Sequence, residues 1–383
     1  MVSFIFIFAI IIYLCIIGWL SYGFDKVDDF KVQDLPPKTK FSVIIPFRNE
    51  AKNLPKVLES ILKLNYPKSM FEIILVDDDS EDDSVAIIEN ILGTTSSKKN
   101  DTQLGNIQII KNKRISNSPK KDAITSAIKV SKFNWIITTD SDCILPKYWL
   151  DTFDELIQLK SSNCIVAPVT YHGNTSFLNR FQTLDFLSLQ GATMGSFGIK
   201  KPILCNGANF AYQKSKFLSV NGFEGNDTIA SGDDIFLLEK FIKQDAQNVH
   251  YLKSNNAIVT TNPAESTKEL IQQRLRWAAK TSQNKNWFTK VVGLIVILGN
   301  LVCLGLIPAV YFNSITLKIA IALFIIKWSI DFLLLFKTVR FFKQEILLYS
   351  FVFSSLVYPI FNVYIAFLSF FKSYEWKGRR FSK

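Results

Sequence analysis

Four long apolar runs bracket a region of short, alternating blocks. Residues 4–20 (FIFIFAIIIYLCIIGWL) carry no charge, and Ser3 and Ser21–Phe24 extend the run. At ~1.5 Å per residue, such a run nearly crosses a ~30 Å hydrocarbon core. Val291–Phe312, Ile319–Phe336 and Ile346–Phe371 repeat the pattern near the other end. Between them, residues 41–265 alternate short apolar strands with amphipathic helices. FSVIIP (41–46), FEIILVD (71–77), IQII (107–110) and NWIITTD (134–140) read as strands. Glu50–Leu62, a segment entered through Ser80 and Asp83 and running to about Leu92, and Lys121–Val130 read as helices. The intervening 93–105 (GTTSSKKNDTQLG) reads as a polar surface loop. Strand–helix alternation of this kind predicts an α/β domain with a mainly parallel sheet covered on both faces. Ligands of such sheets bind at the carboxyl ends of the strands.

Composition supports a core and a membrane. Of 383 residues, 48% are apolar and 20% charged. The mean hydropathy is +0.18, which excludes a disordered chain. The net charge of +11 suggests nucleic acid, but its distribution opposes that. From Lys268 onward there are 16 Lys/Arg against 4 Asp/Glu, leaving 28 against 29 for residues 1–267. The excess sits beside the apolar runs, as flanking charges do, and no nucleic-acid partner is expected. The five cysteines are scattered without a CxxC pair, and two histidines, His172 and His250, cannot build a His-rich metal site.

The first run reads as an uncleaved anchor, because no Lys or Arg precedes it and no small-x-small site follows it cleanly. Lys26, Lys31, Lys38 and Lys40 follow it, which orients the N-terminus outward and residues 25–289 toward the cytoplasm. Lys337, Arg340 and Lys343, and the tail WKGRR (376–380), also suit the cytoplasm. Three full C-terminal crossings cannot satisfy both, so Ile346–Phe371, with Pro359 inside it, reads as a broken or re-entrant element. Lys327 and Asp331, four residues apart, read as an intrahelical pair facing other helices.

Two strands end in acid. VDDDS (76–80) closes the second and TTDSDC (138–143) the fourth, so both open onto one sheet edge. Asp-x-Asp offers hard oxygen ligands for Mg²⁺ or Mn²⁺ from one turn, and a cation there neutralises a diphosphate leaving group. Turn acids also cap helices, and that reading stays open. GDD (232–234) precedes an amphipathic helix whose N-cap would be Asp233. QRLRW (273–277) sets two arginines beside an aromatic, suited either to phosphate and sugar or to a membrane interface. Phe177–Gly191 carries an apolar stripe, for the membrane surface or for core packing. In CNGAN (205–209), Asn206 and Asn209 suit either sugar hydroxyls or a turn.

PFRNE (46–50), VDDDS (76–80), KKDA (120–123), DSD (140–142), GDD (232–234) and QRLRW occur in one order. The chain thereby resembles the membrane-bound family 2 glycosyltransferases of GT-A fold, in the branch of ceramide glucosyltransferases and cellulose, chitin and hyaluronan synthases. The resemblance implies a Rossmann-like GT-A domain over 40–265 between an anchor (1–24) and C-terminal transmembrane helices (290–371). The QRLRW segment (266–289) would be interfacial and residues 372–383 a basic tail. It further implies that Asp77 contacts a uracil, with Pro46 and Glu50 shaping the nucleotide pocket. Asp140 and Asp142 would bind the diphosphate through a divalent metal, Mn²⁺ or Mg²⁺. Lys120 would match a lysine on the donor side, although Pro119 replaces the family's glycine. Asp234 would be the base, although GDD replaces the commoner E-D pair. Gln273, Arg276 and Trp277 would serve the diphosphate and the acceptor. The implied activity is inverting transfer from a nucleotide sugar, a UDP-sugar by the resemblance, to a lipid or lipid-linked acceptor. The setting would be the cytoplasmic face of a bacterial inner membrane, in contact with membrane lipid. A processive polysaccharide synthase and a non-catalytic membrane scaffold are the rival readings.

Overall fold

A computed structural model describes residues 2–96, 106–173, 176–226, 231–376 and 379–381. In chain order the elements are α1 (Val2–Lys26), β1 (Phe41–Phe47), α2 (Leu54–Leu62), β2 (Phe71–Asp77), α3 (Ser84–Ser96), β3 (Ile107–Lys111), α4 (Pro119–Val130) and β4 (Trp135–Thr138). There follow α5 (Trp149–Leu159), β5 (Cys164–Val166), β6 (Val169–Tyr171), α6 (Phe177–Gly198), β7 (Phe210–Gln213), α7 (Lys214–Ser219), α8 (Asp233–Asp245), β8 (Val249–Tyr251) and β9 (Val259–Thr261). The chain closes with α9 (Thr267–Gln283), α10 (Trp287–Tyr311), α11 (Leu317–Phe341), α12 (Phe351–Phe371), β10 (Tyr374–Trp376) and β11 (Arg379–Phe381). Two compact units result. One is helical and comprises 1–28, 173–204 and 263–383; the other holds the sheet and comprises 29–172 and 205–262.

In the helical unit, α1, α10, α11 and the span Glu345–Phe371 are long and apolar enough to cross a membrane. α6, the striped segment of the sequence, packs against α1 and α11. The α1–α6 approach is close because both helices present glycine. A Cβ on Gly195 would lie 2.1 Å from the Leu20 carbonyl oxygen, and one on Gly198 would lie 1.8 Å from that of Gly23. Several polar side chains inside this unit pair with one another. Lys327 Nζ donates to Asp331 at 2.7 Å, as their spacing predicts, and Tyr13 on α1 donates to the same carboxylate at 2.6 Å. Asn300 of α10 donates to Asn362 of α12 at 3.2 Å. The expected break at Pro359 does not occur. α12 runs through it, and the irregular stretch lies earlier, as a 3₁₀ turn over Glu345–Ser350. Proline costs a helix one backbone bond, which here does not end it. The tail adds an antiparallel β10–β11 pair that the sequence pattern did not predict.

The other unit carries a seven-stranded sheet in the order β3-β2-β1-β4-β7-β5-β8. β1, β2, β3 and β4 are mutually parallel, β7 runs antiparallel to β4 and β5, and β5 and β8 are parallel. The mainly parallel α/β sheet expected from the alternation is thus present, with β7 as its one reversal. β6 and β9 form a second, two-stranded sheet. Every residue of β2 is buried, which its unbroken apolar run FEIILVD serves. Pro46 is tolerated in β1 because the β4 pairing has ended at Ile44, and only β2 runs alongside it.

Helix starts depart from the sequence reading. α2 begins at Leu54 rather than Glu50, since Pro55 in its first turn favours a start there. α3 begins at Ser84, not after Ser80. The Ser80 hydroxyl instead accepts the Asn49 N–H, while Asp82 accepts that of Ser84. α3 continues to Ser96, so residues 93–96 of the expected loop are helical and the rest lies outside the described residues.

Residues 33–39 are held against α5 by carboxylates. Glu155 accepts the N–H groups of Gln33 and Leu35, and Asp154 those of Lys38 and Thr39. Both acids are nearly inaccessible to water, and backbone donors supply what solvent would otherwise give them. Burial, reinforced by Asp154 and Glu155, pushes neighbouring Asp151 up to about 6. A raised carboxylate makes the folded state bind the extra proton, so stability falls as pH rises from about 4 to about 6. Asp151→Asn is therefore expected to raise the melting temperature at pH 7 by about 1–3 °C, with the gain vanishing at pH 4. Thermal unfolding of both proteins at the two pH values checks this.

Candidate active site

The parallel strands deliver the motifs to one edge. Phe47 and Asp77 are register partners at the ends of β1 and β2, and the DSD turn follows β4. The loops after β1 and β2 interlock. Asn49 and Asp79 adopt left-handed backbone (φ 52° and 64°), which asparagine and aspartate tolerate better than other side chains. Asn49 Oδ1 accepts the Glu81 N–H, Ala51 N–H donates to Asp82, and Glu50 N–H donates to the Ser84 hydroxyl. Arg48 donates to the carbonyls of Asp78 and Asp79 and pairs with Glu81 at 2.7 Å.

Three of the residues expected to line the nucleotide pocket, Pro46, Glu50 and Asp77, lie on these strand ends and loops. Pro46 is half-buried. Glu50 is buried and accepts the Asn53 amide at 2.6 Å. Asp77 is also buried, and its Oδ1 caps the turn by accepting the Ser80 N–H. Its neighbour Asp78, which the motif alone does not single out, pairs with Arg114 at 2.7 Å and accepts from Asn112 at 2.7 Å. That pairing raises Arg114 above its ordinary value.

Lys120 joins the DSD turn to the GDD helix. Its Nζ lies 2.6 Å from Asp140 Oδ1 and 3.4 Å from Asp233 Oδ2. Pro119 does not displace it, because proline suits the first position of α4, where its missing N–H has no helical partner to lose. Burial opposes the charge on Lys120, but Asp140, Asp233 and Asp234 outweigh it and raise the ammonium above its ordinary range. Asp142 is raised by burial and then by Asp140, against a hydrogen bond from Thr261 and the pull of Lys120. Two adjacent carboxylates, one short of compensation, are a hard-oxygen donor set that fits a divalent cation. Among the described residues no group of three or more His, Cys, Asp or Glu is placed to hold a metal. Two carboxylates with substrate phosphates completing the shell is a usual arrangement for Mg²⁺.

The GDD segment corrects one expectation. Gly232, at φ 86°, is the N-cap of α8, and Asp233 is the first helical residue. Asp233 is thus free of capping duty and faces Lys120. Asp234 Oδ2 accepts the Gly207 N–H at 3.1 Å, and its Oδ1 accepts the Ile235 N–H at 2.8 Å. Gly207 is set in turn by Thr138 of β4, whose hydroxyl donates to its carbonyl at 2.8 Å. A Cβ on Gly207 would lie 2.9 Å from Asp233 Oδ2 and 3.5 Å from Lys120 Nζ. In CNGAN the glycine therefore serves the acidic cluster. Asn209 is fully buried and structural, bonded to Trp149, Pro168 and Ala257, and Asn206 caps the turn through the Ala208 N–H. The sequence offered Gly207 only as an unremarked neighbour of Asn206 and Asn209, and Asp233 only as a cap.

QRLRW lies in the helical unit, on α9. Gln273, Arg276 and Trp277 are half-buried there. Arg274 is buried and donates to Asp185 of α6 at 2.6 Å. Gln182 of α6 fixes the entry to α9: its amide donates to the Ala264 carbonyl at 3.0 Å and accepts the Ala264 N–H at 2.9 Å.

With this geometry established, comparison with known proteins is decisive for the family. A profile described as Glycosyl transferase family 2 matches residues 42–220, and one described as Glycosyl transferase family group 2 matches 135–370, more than half of the chain. The chain is a family 2 glycosyltransferase. Poly-beta-1,6-N-acetyl-D-glucosamine synthase of Staphylococcus epidermidis is 24% identical over 273 residues, 69% of this chain and 61% of that synthase. The chain thus spans less than two thirds of that relative's length. Glycosyltransferase AglE of Haloferax volcanii is 22% identical over 237 residues, 61% of this chain and 70% of that one. Among solved structures, the mannosyltransferase PcManGT of Pyrobaculum calidifontis, in complex with GDP-Man and Mn²⁺, superposes with a TM-score of 0.58. It is 14% identical, and the match covers 93% of this chain and 99% of that one. The sheet-bearing unit of this glycosyltransferase accordingly has the GT-A-type fold expected of it.

Lys120→Met would leave the acidic edge without its ammonium. Removing one member of a buried charge cluster costs about 3–5 kcal/mol, and the partial exposure of Asp140 reduces that to about 1–3 kcal/mol. Denaturant unfolding of the variant beside the parent protein is expected to show a loss of that size.

Proposed function

We propose that this glycosyltransferase catalyses inverting transfer of a sugar from a nucleotide sugar to an acceptor hydroxyl at a membrane surface. One observation carries the reading: Lys120 draws the DSD turn and the start of α8 together, within 2.6 Å of Asp140 and 3.4 Å of Asp233. A donor diphosphate at the turn and an acceptor at Asp234 then lie side by side. The acceptor oxygen attacks the anomeric carbon, the bond from that carbon to the diphosphate breaks, and Asp234 takes the hydroxyl proton. The two N–H groups that Asp234 accepts fix the carboxylate's orientation. Asp140 and Asp142 would hold a divalent cation, which when bound supplies positive charge to the departing diphosphate. Lys120 adds its charge to the same edge, and Pro46, Glu50 and Asp77 shape the nucleotide end. In this reading Gln273 and Arg276 serve diphosphate oxygens, and Trp277 offers an indole face to the acceptor.

The four membrane-length helices support a lipid or lipid-linked acceptor, with residues 25–289 on the cytoplasmic side, where the lysines after α1 would hold them. A cysteine introduced at exposed Lys160 is expected to resist an impermeant thiol reagent in intact cells and to react after lysis. Labelling in intact cells would reverse the orientation. The likeness to a synthase of poly-N-acetylglucosamine favours a second reading, in which the acceptor is the growing polysaccharide. Product length separates the two: one added sugar for a lipid acceptor, a ladder of oligomers for a polymer.

Purified protein, given Mn²⁺, labelled UDP- and GDP-sugars and total membrane lipid, is expected to yield a glycosylated product identifiable by mass spectrometry. Asp234→Asn keeps shape but cannot take a proton, so turnover should fall by about 10²–10⁴, with donor affinity changing less than about tenfold. Near-normal transfer by Asp234→Asn would remove it from the role of base.

A further inference from the structure

The second residue of QRLRW, Arg274, has no part in the roles proposed above, yet it is buried and ion-paired. Arg274 is 6% exposed and its partner Asp185 is 8% exposed. The guanidinium Nε donates to Asp185 Oδ2 at 2.6 Å. A second nitrogen donates to the side-chain oxygen of Gln273. The guanidinium carbon lies 4.1 Å from the centre of the Trp277 ring. Phe186, next to Asp185 on α6, touches the same indole at 5.8 Å between ring centres. Residues 274 and 277 share a helix face, so one planar group reaches Asp185, Gln273 and Trp277 together.

We propose that Arg274, anchored by Asp185, is a positioning residue that presets the side chains of Gln273 and Trp277 for transfer. Only a guanidinium meets the requirement. It has several donors in a fixed plane and a flat face that stacks on an indole, whereas an ammonium is a point charge that satisfies one partner at a time. A buried ion pair adds little stability over an apolar replacement, so a merely structural site would not need this arrangement. Gln182, one turn earlier on α6, pins Ala264 ahead of α9, which fixes where along α6 the motif helix sits.

The inference rests on the proposed assignment of Gln273 and Trp277 to donor and acceptor, and the test separates the two. Arg274→Lys keeps the charge opposite Asp185. The pair Arg274→Gln with Asp185→Asn removes both charges and leaves no buried ion unpaired. Each is compared with Gln273→Ala and Trp277→Phe for kcat and donor KM, and for the fluorine spectrum of protein labelled with 5-fluorotryptophan, in which Trp277→Phe identifies the Trp277 resonance. Positioning predicts that Arg274→Lys and the neutral pair both melt near the parent temperature and move the Trp277 resonance. Both should lower kcat by about tenfold or more, with donor KM changing less than about threefold. Wild-type kcat in the neutral pair, or an unmoved resonance in Arg274→Lys, overturns the positioning role. It does so while leaving the functional reading intact if Gln273→Ala and Trp277→Phe are inactive. Full activity in those two variants overturns the assignment of the motif, and this inference with it.

Discussion

The acidic sheet edge is the constraint on which the site depends, and the ammonium of Lys120 answers it by pairing with Asp140 and Asp233. Asp140, Asp142, Asp233 and Asp234 come from two turns separated by some 90 residues of chain, and Lys120 lies against both turns. Burial, and after it repulsion from Asp140, raises the proton affinity of Asp142. Under the proposed function, a divalent cation and a diphosphate would answer the same electrostatic demand, bringing positive charge to the carboxylates and negative charge to the lysine. Stability and proposed function therefore draw on one charge balance.

The geometry beneath that balance is set by backbone. Parallel β1, β2 and β4 end at the same edge, so their C-terminal loops must meet there. Thr138 holds Gly207, and Gly207 holds Asp234. The absence of a side chain at Gly207 is what lets two carboxylates and an ammonium crowd the turn. Asn49 and Asp79, in left-handed backbone, let the first two loops bond to each other rather than to solvent.

Much of this was legible in the sequence because it depends on period and order. Continuous apolar runs marked the buried strands, and acids following those runs marked the sheet edge. The Lys327–Asp331 pair followed from helical spacing alone. What escaped the sequence depends on three-dimensional partners. Asp233 looked like a cap, but Gly232 adopts the left-handed conformation and takes that position. Asn209 suited either a sugar hydroxyl or a turn, and its amide is consumed by Trp149, Pro168 and Ala257. The start of α3 at Ser84 depended on Asp82, whose claim no local pattern distinguishes from that of Ser80. Asp185 sits in the middle of an apolar stripe, and only its distance to Arg274 explains a carboxylate there.

The central claim is that the DSD turn is a cation site completed by a nucleoside diphosphate. Electron paramagnetic resonance of Mn²⁺ titrated into the protein, with and without UDP or GDP, tests it most directly. With Asp140 and Asp142 as its proposed protein ligands, Mn²⁺ should bind weakly alone and about tenfold or more tightly with the nucleotide, and Asp142→Asn should abolish that gain. Mn²⁺ binding that is indifferent to nucleotide, or unchanged in Asp142→Asn, would contradict the account.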